Sequence, residues 1–187
     1  MIGSLAGRLL VATPLLGDAN FARTVILMCA HDEQGGFGLV LNRPLGEPVA
    51  LHLPEWSART AEPSVFFVGG PVQRNVVMAL GRFPAAGDAD WWTRVTAEVG
   101  LIDLRGMPGD LEGVTGSARL FVGYAGWGAG QLEGEIAEEA WWVLDARAGD
   151  AFTSHPATLW RDVLRRQRGR LRDLRLYANY PPDARLN

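Results

Sequence analysis

The run Thr24-Val-Ile-Leu-Met-Cys-Ala30 constrains this chain more than any other stretch. It is β-branched or apolar throughout and does not alternate, which is the pattern of a strand covered on both faces. A fold that holds it must bury it from above and below. Glu33-Gln-Gly-Gly36 follows at once as a hairpin signal, and Phe37–Leu41 reads as the return strand. The expected centre of the molecule is therefore an antiparallel pair deep in a core.

Further strands are expected at Leu9–Ala12, Ser64–Val68, Val76–Leu80 and Trp141–Asp145. Arg119–Tyr124 is a strand that runs into a glycine-rich turn. Pro14–Phe21 is a turn-rich entry, Pro48–Trp56 holds a short helix, and Arg105–Thr115 reads as a loop. Trp92–Thr96 and Leu101–Leu104 form either a hairpin or, with Asp90 as a cap, a short helix. Gln131–Glu139 is helical, with Leu132, Ile136 and Ala140 on one face and Glu133, Glu135, Glu138 and Glu139 elsewhere. Gly134 weakens that helix by about 1 kcal/mol relative to Ala, a cost that close packing would explain. Pro156–Gln167 is a second helix with Leu159, Trp160, Val163 and Leu164 facing the core and Gly169 as its stop. Hairpins come first, and helices are few and late. That order predicts an α+β fold, and residues 1–187 read as one domain.

Composition excludes whole chemistries. All 18 basic side chains are Arg; there is no Lys for a Walker A loop, a pyridoxal phosphate or a Schiff base. The lone Cys29 excludes intrachain disulfides, thiolate zinc sites and Cys-ligated iron–sulfur clusters, and its apolar neighbours predict an inert buried thiol. No His-x-x-x-His and no Gly-x-Ser-x-Gly occurs. Asp88-Ala-Asp90 reads as a turn or helix cap, with a divalent-ion site as the alternative. No cofactor and no metal are expected. His31-Asp32 is either an acid–base pair or a strand-end His beside a hairpin. The amino-terminal stretch is charged too soon for a signal peptide, and no apolar run approaches the roughly 20 residues of a membrane span. The expectation is a cytoplasmic protein with no membrane partner, monomeric or weakly dimeric.

Charge is uneven. Leu159–Arg175 carries seven Arg and two Asp, a balance of +5, on a chain whose net charge is -3. This segment, the basic helical stretch 156–175, meets an anionic partner or pairs with the body's own carboxylates. No helix-turn-helix pair accompanies it, so direct nucleic-acid binding is not expected.

Four strand-end loops carry the candidate site. Gly123-Tyr-Ala-Gly126-Trp-Gly128-Ala-Gly130-Gln-Leu-Glu133 opens a helix, and reads either as an anion pocket under Trp127, with Gln131 and Glu133 as contacts, or as tight packing with Trp127 in the core. Leu41-Asn42-Arg43-Pro44 offers an Arg held extended by Pro44, for a ligand or for an internal carboxylate. Gly69-Gly70-Pro71-Val72-Gln73 is a rigid turn, and Asn20-Phe21-Ala22-Arg23 is a fourth polar-plus-aromatic loop. The expectation is that several converge on one cleft, with Arg43 supplying charge and Trp127 a flat wall.

Taken in order, Gly7 to Phe21, His31 to Pro44, Val68 to Gln73 and Gly123 to Glu133 resemble the YqgE/AlgH family, over about three quarters of the chain. The resemblance implies one α+β domain of bent, branching, largely antiparallel sheets around core helices, in a bacterial cytoplasmic protein. It brings no established activity and no agreed catalytic residues. The transcriptional-regulator label that the family carries comes from genetics of exopolysaccharide control, not from a DNA-binding surface. The matching positions are Asn20, Phe21, Arg23, Asn42, Arg43, Pro44, Gly69, Gly70, Pro71, Gln73, Gly126, Trp127, Gly130, Gln131 and Glu133. Many members carry a His in the strand after the Gly-Gly-Pro turn; Val77-Met-Ala-Leu80 here has none. The reading of function is a regulatory module that binds a small anionic ligand or a protein partner. The alternatives are a hydrolase or transferase using His31-Asp32 or Glu133, and a transcriptional regulator acting directly or indirectly.

Overall fold

A computed structural model describes residues 3–83, 90–105 and 116–180. Among these residues ten strands carry the fold: β1 (Arg8–Ala12), β2 (Val25–Asp32), β3 (Gly35–Val40), β4 (Pro44–Pro48), β5 (Val65–Val68), β6 (Val72–Arg82), β7 (Trp92–Arg94), β8 (Val99–Ile102), β9 (Ser117–Gly128) and β10 (Trp141–Asp145). Five short α-helices among the described residues join them: α1 (Val49–His52), α2 (Pro54–Ser57), α3 (Gln131–Ala137), α4 (Leu159–Arg165) and α5 (Leu174–Tyr177). The strands run in the order β10-β1-β2-β3-β9-β6-β8-β7, with β5 beside β9 and β4 beside β5. Every ladder between named strands is antiparallel except β5–β9. The α+β, largely antiparallel architecture is the one expected.

β9 is the strand where the sheet branches. Its first half pairs with β6 and, through Phe121 and Val122, with β5. Its second half, Ala125–Gly128, pairs with β3. The glycine-rich stretch expected as a turn after Tyr124 is thus strand as far as Gly128, because β3 supplies hydrogen-bonding partners that outweigh the low strand preference of Gly. Only Ala129-Gly130 turns, with Gly130 at φ 73° just before α3.

Strand alternation sorts the central residues into two cores. Leu9, Val11, Val25, Leu27, Leu39 and Leu41 face one, which α4 closes with Leu159, Trp160, Val163 and Leu164. Leu10, Ala12, Ile26, Met28 and Val40 face the other, closed by Trp127, Leu132 of α3 and Trp141. β2 is accordingly buried on both faces, as its unbroken apolar run requires. A third cluster packs Trp56, Phe66, Phe83, Trp92, Ile102 and Leu120 over the β6–β8 end.

Several local expectations change. The Pro48–Trp56 helix is two separate turns, α1 and α2, and β4 was not anticipated. Residues 92–102 choose the hairpin, β7 with β8. β6 begins at Val72 rather than Val76, and its register slips between Val72 and Val77. The Pro156–Gln167 helix begins as a 3-10 turn and is α-helical only over α4, since the chain bends at Arg166 before Gly169. Gly169 opens another 3-10 turn instead of stopping the helix. Gly134 has nothing within 4 Å of where a Cβ would stand, so close packing does not account for it. Of the expected loop Arg105–Thr115, residues 106–115 lie outside the described residues, as do residues 88 and 89 of Asp88-Ala-Asp90. Among the described residues no helix is long and apolar enough to cross a membrane.

Candidate functional site

Trp127 anchors a packing network. Its indole is buried between β9 and α3, edge-on to Trp141 with ring centroids 6.1 Å apart. Its Nε1–H donates to Glu135 Oε2 at 2.8 Å, and Trp141 Nε1–H donates to the same oxygen at 2.8 Å. Glu135 Oε1 accepts from Gln131 Nε2, and Gln131 Oε1 accepts the Gly128 N–H. Phe21 packs edge-on against Trp141 at 5.6 Å. Trp127, Trp141 and Gln131 are thus held by one carboxylate that helix periodicity places off the apolar face, and Phe21 joins the network through Trp141.

Gly69 and Gly70 are close-packing positions. A Cβ on Gly69 would stand 2.2 Å from Gly123 O, and one on Gly70 would stand 2.2 Å from the Tyr124 carbonyl carbon. Gly69 N–H donates to Val122 O, and Gly69 O accepts from Val40 N–H. The turn therefore wedges β3 against β9 backbone to backbone. Pro71 is exposed, and Gln73 (φ 47°) leads away into a shallow groove of about 700 Å³ that also touches Ala30, Phe37, Tyr124, Gly126 and Trp127.

His31 and Asp32 point apart: His31 is buried, while Asp32 is exposed and accepts the Gln34 N–H. His31 Nδ1 accepts the Leu5 N–H at 3.3 Å, so its proton sits on Nε2, 3.2 Å from Glu133 Oε1. That contact lies off the hydrogen-bond axis. With Nδ1 consumed by backbone, the ring offers no free base. Burial pushes the Cys29 thiol up to about 12, which keeps it protonated. Among the described residues no three of His, Cys, Asp and Glu group as metal ligands.

The remaining candidates meet elsewhere. Asn42 joins two loops: its Oδ1 accepts the Val25 N–H at 2.9 Å and its Nδ2 donates to Arg23 O at 2.8 Å. That grip holds Arg23 at φ 57°. Arg23 then lies over the Trp160 ring, 4.7 Å from its centroid, and donates to Tyr180 O. Arg43 donates to Ala22 O. Together with Arg161 of α4 these side chains line a pocket of about 640 Å³, walled on its far side by residues 178–180. Among the described residues no carboxylate lines it, and none of the three guanidinium groups is in an ion pair with one. Burial lowers the proton affinity of Arg23 and Arg43, and the neighbouring Arg161 lowers that of Arg23 further. All three remain cationic at neutral pH.

One cleft shared by Arg43 and Trp127 is therefore not what forms. Trp127 pairs with Gly36 near the start of β3, whereas Arg43 lies beyond Val40 at its other end. The paired stretch between those ends alone spans roughly 13 Å at about 3.3 Å per residue. Asn20 belongs to neither pocket; it is exposed and bonds the Asp18 carboxylate.

The basic segment divides rather than forming one stripe. Arg161 enters the pocket, Arg165 donates to Asn179 Oδ1, and Arg166 makes a two-pronged pair with the buried Asp150. Arg119 is the functional-looking residue that strand pattern concealed. It is 1% exposed, stacks on Phe67 at 4.3 Å, and donates to Glu62 O and Thr153 O. Burial pulls its proton affinity down to about 10, and Glu62 partly restores it. It ties the loop before β5 to the loop after β10.

Comparison with known proteins places these residues in a shared scaffold. A family model described as AlgH-like matches residues 9–172. A UPF0301 protein of Streptomyces coelicolor is 46% identical over 190 residues, covering 100% of this chain and 97% of its own length. One from Thermobifida fusca is 41% identical over 98% of this chain and 96% of its own. The crystal structure of a Corynebacterium diphtheriae protein superposes with a TM-score of 0.85 at 32% identity, covering 93% of this chain and 91% of that one. The solution structure of the AlgH protein from Pseudomonas aeruginosa superposes at 0.62 and 31% identity, over 81% and 82%.

Proposed function

The chain belongs to the AlgH-like family, whose members' names carry no activity to transfer, and from its own geometry we propose that it is a binding module for an anionic ligand. One observation carries this reading: Arg23, Arg43 and Arg161 converge on a concave pocket that holds no carboxylate among its described lining residues. Three like charges held together cost free energy that an anion in their midst recovers. A surface Arg with no such role spreads into solvent or pairs with Asp or Glu, as Arg8 and Arg82 do. The regulatory role follows as an expectation: occupancy of such a pocket by an anion is a signal the fold can transmit to a partner.

A thermal-shift screen against small anions, phosphorylated metabolites and nucleotides tests the reading. Stabilising hits that vanish in Arg43→Ala and in Arg161→Ala but persist in Trp127→Phe support it. Hits unaffected by both Arg substitutions overturn it.

A further inference from the structure

We infer that the Arg23–Arg43–Arg161 pocket is built for the terminal phosphate of a small phosphomonoester. This rests on the anion-binding reading above and names the ligand class. The first ground is stoichiometry of donors. Three guanidinium groups face one pocket, and among the described residues each spends at most one of its five N–H donors on protein: Arg23 on Tyr180 O, Arg43 on Ala22 O, and Arg161 on none. A phosphomonoester presents three unsubstituted oxygens, one for each fork, where a phosphodiester or a carboxylate presents two.

Charge makes the same choice. A monoester carries about -1.5 to -2 at pH 7, which matches three cations better than the single charge of a diester or a carboxylate. The described lining also disfavours zwitterions. An amino acid would bring an ammonium group toward three Arg, and no carboxylate among the described lining residues receives it. Asn179 adds to the donors, since its Oδ1 is occupied by Arg165 and its amide nitrogen is left.

Size and shape set the rest of the ligand. About 640 Å³ lies within the range of roughly 300–1,000 Å³ typical of small-molecule sites, far more than one oxyanion fills. The Arg23 guanidinium carbon lies 4.7 Å from the Trp160 ring centroid and its backbone is held by Asn42, so its outer side is a positioned planar cation. A sugar or base attached to the phosphate has that plane to lie against. The guanidinium is preorganised, so little rotamer freedom is lost when the ligand arrives.

Isothermal titration of the full chain tests this with AMP, ribose 5-phosphate, cyclic AMP, acetate and a single-stranded dT8 oligonucleotide. AMP or ribose 5-phosphate should bind at least tenfold tighter than cyclic AMP and acetate. Arg161→Gln should weaken that binding at least tenfold without lowering urea stability, because the side chain is exposed and its charge repels that of Arg23. Equal or tighter binding of acetate or cyclic AMP would overturn the phosphomonoester inference and leave the anion pocket standing. Arg161-dependent binding of dT8 above the monoesters would overturn it in favour of nucleic acid. Binding by none of the five would sink both this inference and the anion-binding reading.

Discussion

Replacing Glu135 with Ala should expose how the Trp127 end of the molecule is held. The substitution removes the one oxygen that accepts both the Trp127 and the Trp141 indole N–H, each at 2.8 Å. Both rings are at most 7% exposed, so neither donor reaches bulk water without displacement. An orphaned buried donor costs about 1–3 kcal/mol, which gives roughly 2–6 kcal/mol for two. Glu135 itself is half-buried, so water enters part of the vacated space and the lower half applies, about 3 kcal/mol. For a chain of this size that is a fall in Tm of roughly 6–12 °C. Glu135→Gln keeps one carbonyl oxygen for the indoles but loses the charge assistance and sets an amide NH2 against the Gln131 NH2, so it should lose about 1–2 kcal/mol. Urea denaturation followed by tryptophan fluorescence measures both. A loss below about 1 kcal/mol for Glu135→Ala, or equal losses for Ala and Gln, would refute the carboxylate clamp. Trp127→Phe combined with Glu135→Ala should cost less than the sum of the two, since they remove the same bond.

Further outcomes follow from named contacts. Gly70→Ala should abolish soluble expression, because its Cβ would overlap the Tyr124 backbone at 2.2 Å, whereas Gly134→Ala should raise stability by about 0.5–1 kcal/mol in the same urea assay. Asn42→Leu leaves the Val25 N–H and the Arg23 carbonyl without partners and should cost about 2 kcal/mol, with loss of any ligand-induced thermal shift at the basic pocket. Cys29 should resist a thiol-reactive disulfide reagent at pH 8 in the folded protein and react at once in urea. Its thiol ionises near 12 when folded against 9.0 when exposed, so the unfolded chain releases that proton first. Stability should therefore fall as pH rises from about 9 toward 12, and Cys29→Ala should flatten that part of the pH profile.

The candidate site was legible in part. Arg23, Asn42 and Arg43 were marked as polar residues at strand ends, and they do meet. Trp160 does face the core, and Arg161 beside it completes the pocket; a helical pattern places a side chain on a face without saying which loop lies opposite. Trp127 and Gln131 were marked for the same local reason, and the structure gives them to Glu135 instead. A glycine-rich run has the same sequence signature in a turn and in a strand laid against other glycines, so Gly126 and Gly128 read as turn until β3 was placed beside them.

By itself the sequence determined what depends on neighbours in the chain. The unbroken apolar run after Thr24 demanded a doubly covered strand, the Gln34 hairpin set its partner, and late helices set the α+β class. The absence of Lys left Arg as the one permanently cationic side chain that can meet an anion, and three Arg line the basic pocket. Tertiary structure alone decided which of 18 Arg converge, that β9 branches between two sheet halves, and that one carboxylate serves two indoles. Those outcomes depend on residues up to 157 positions apart, such as Arg23 and Tyr180, and local propensity carries no information about which distant backbone closes against which.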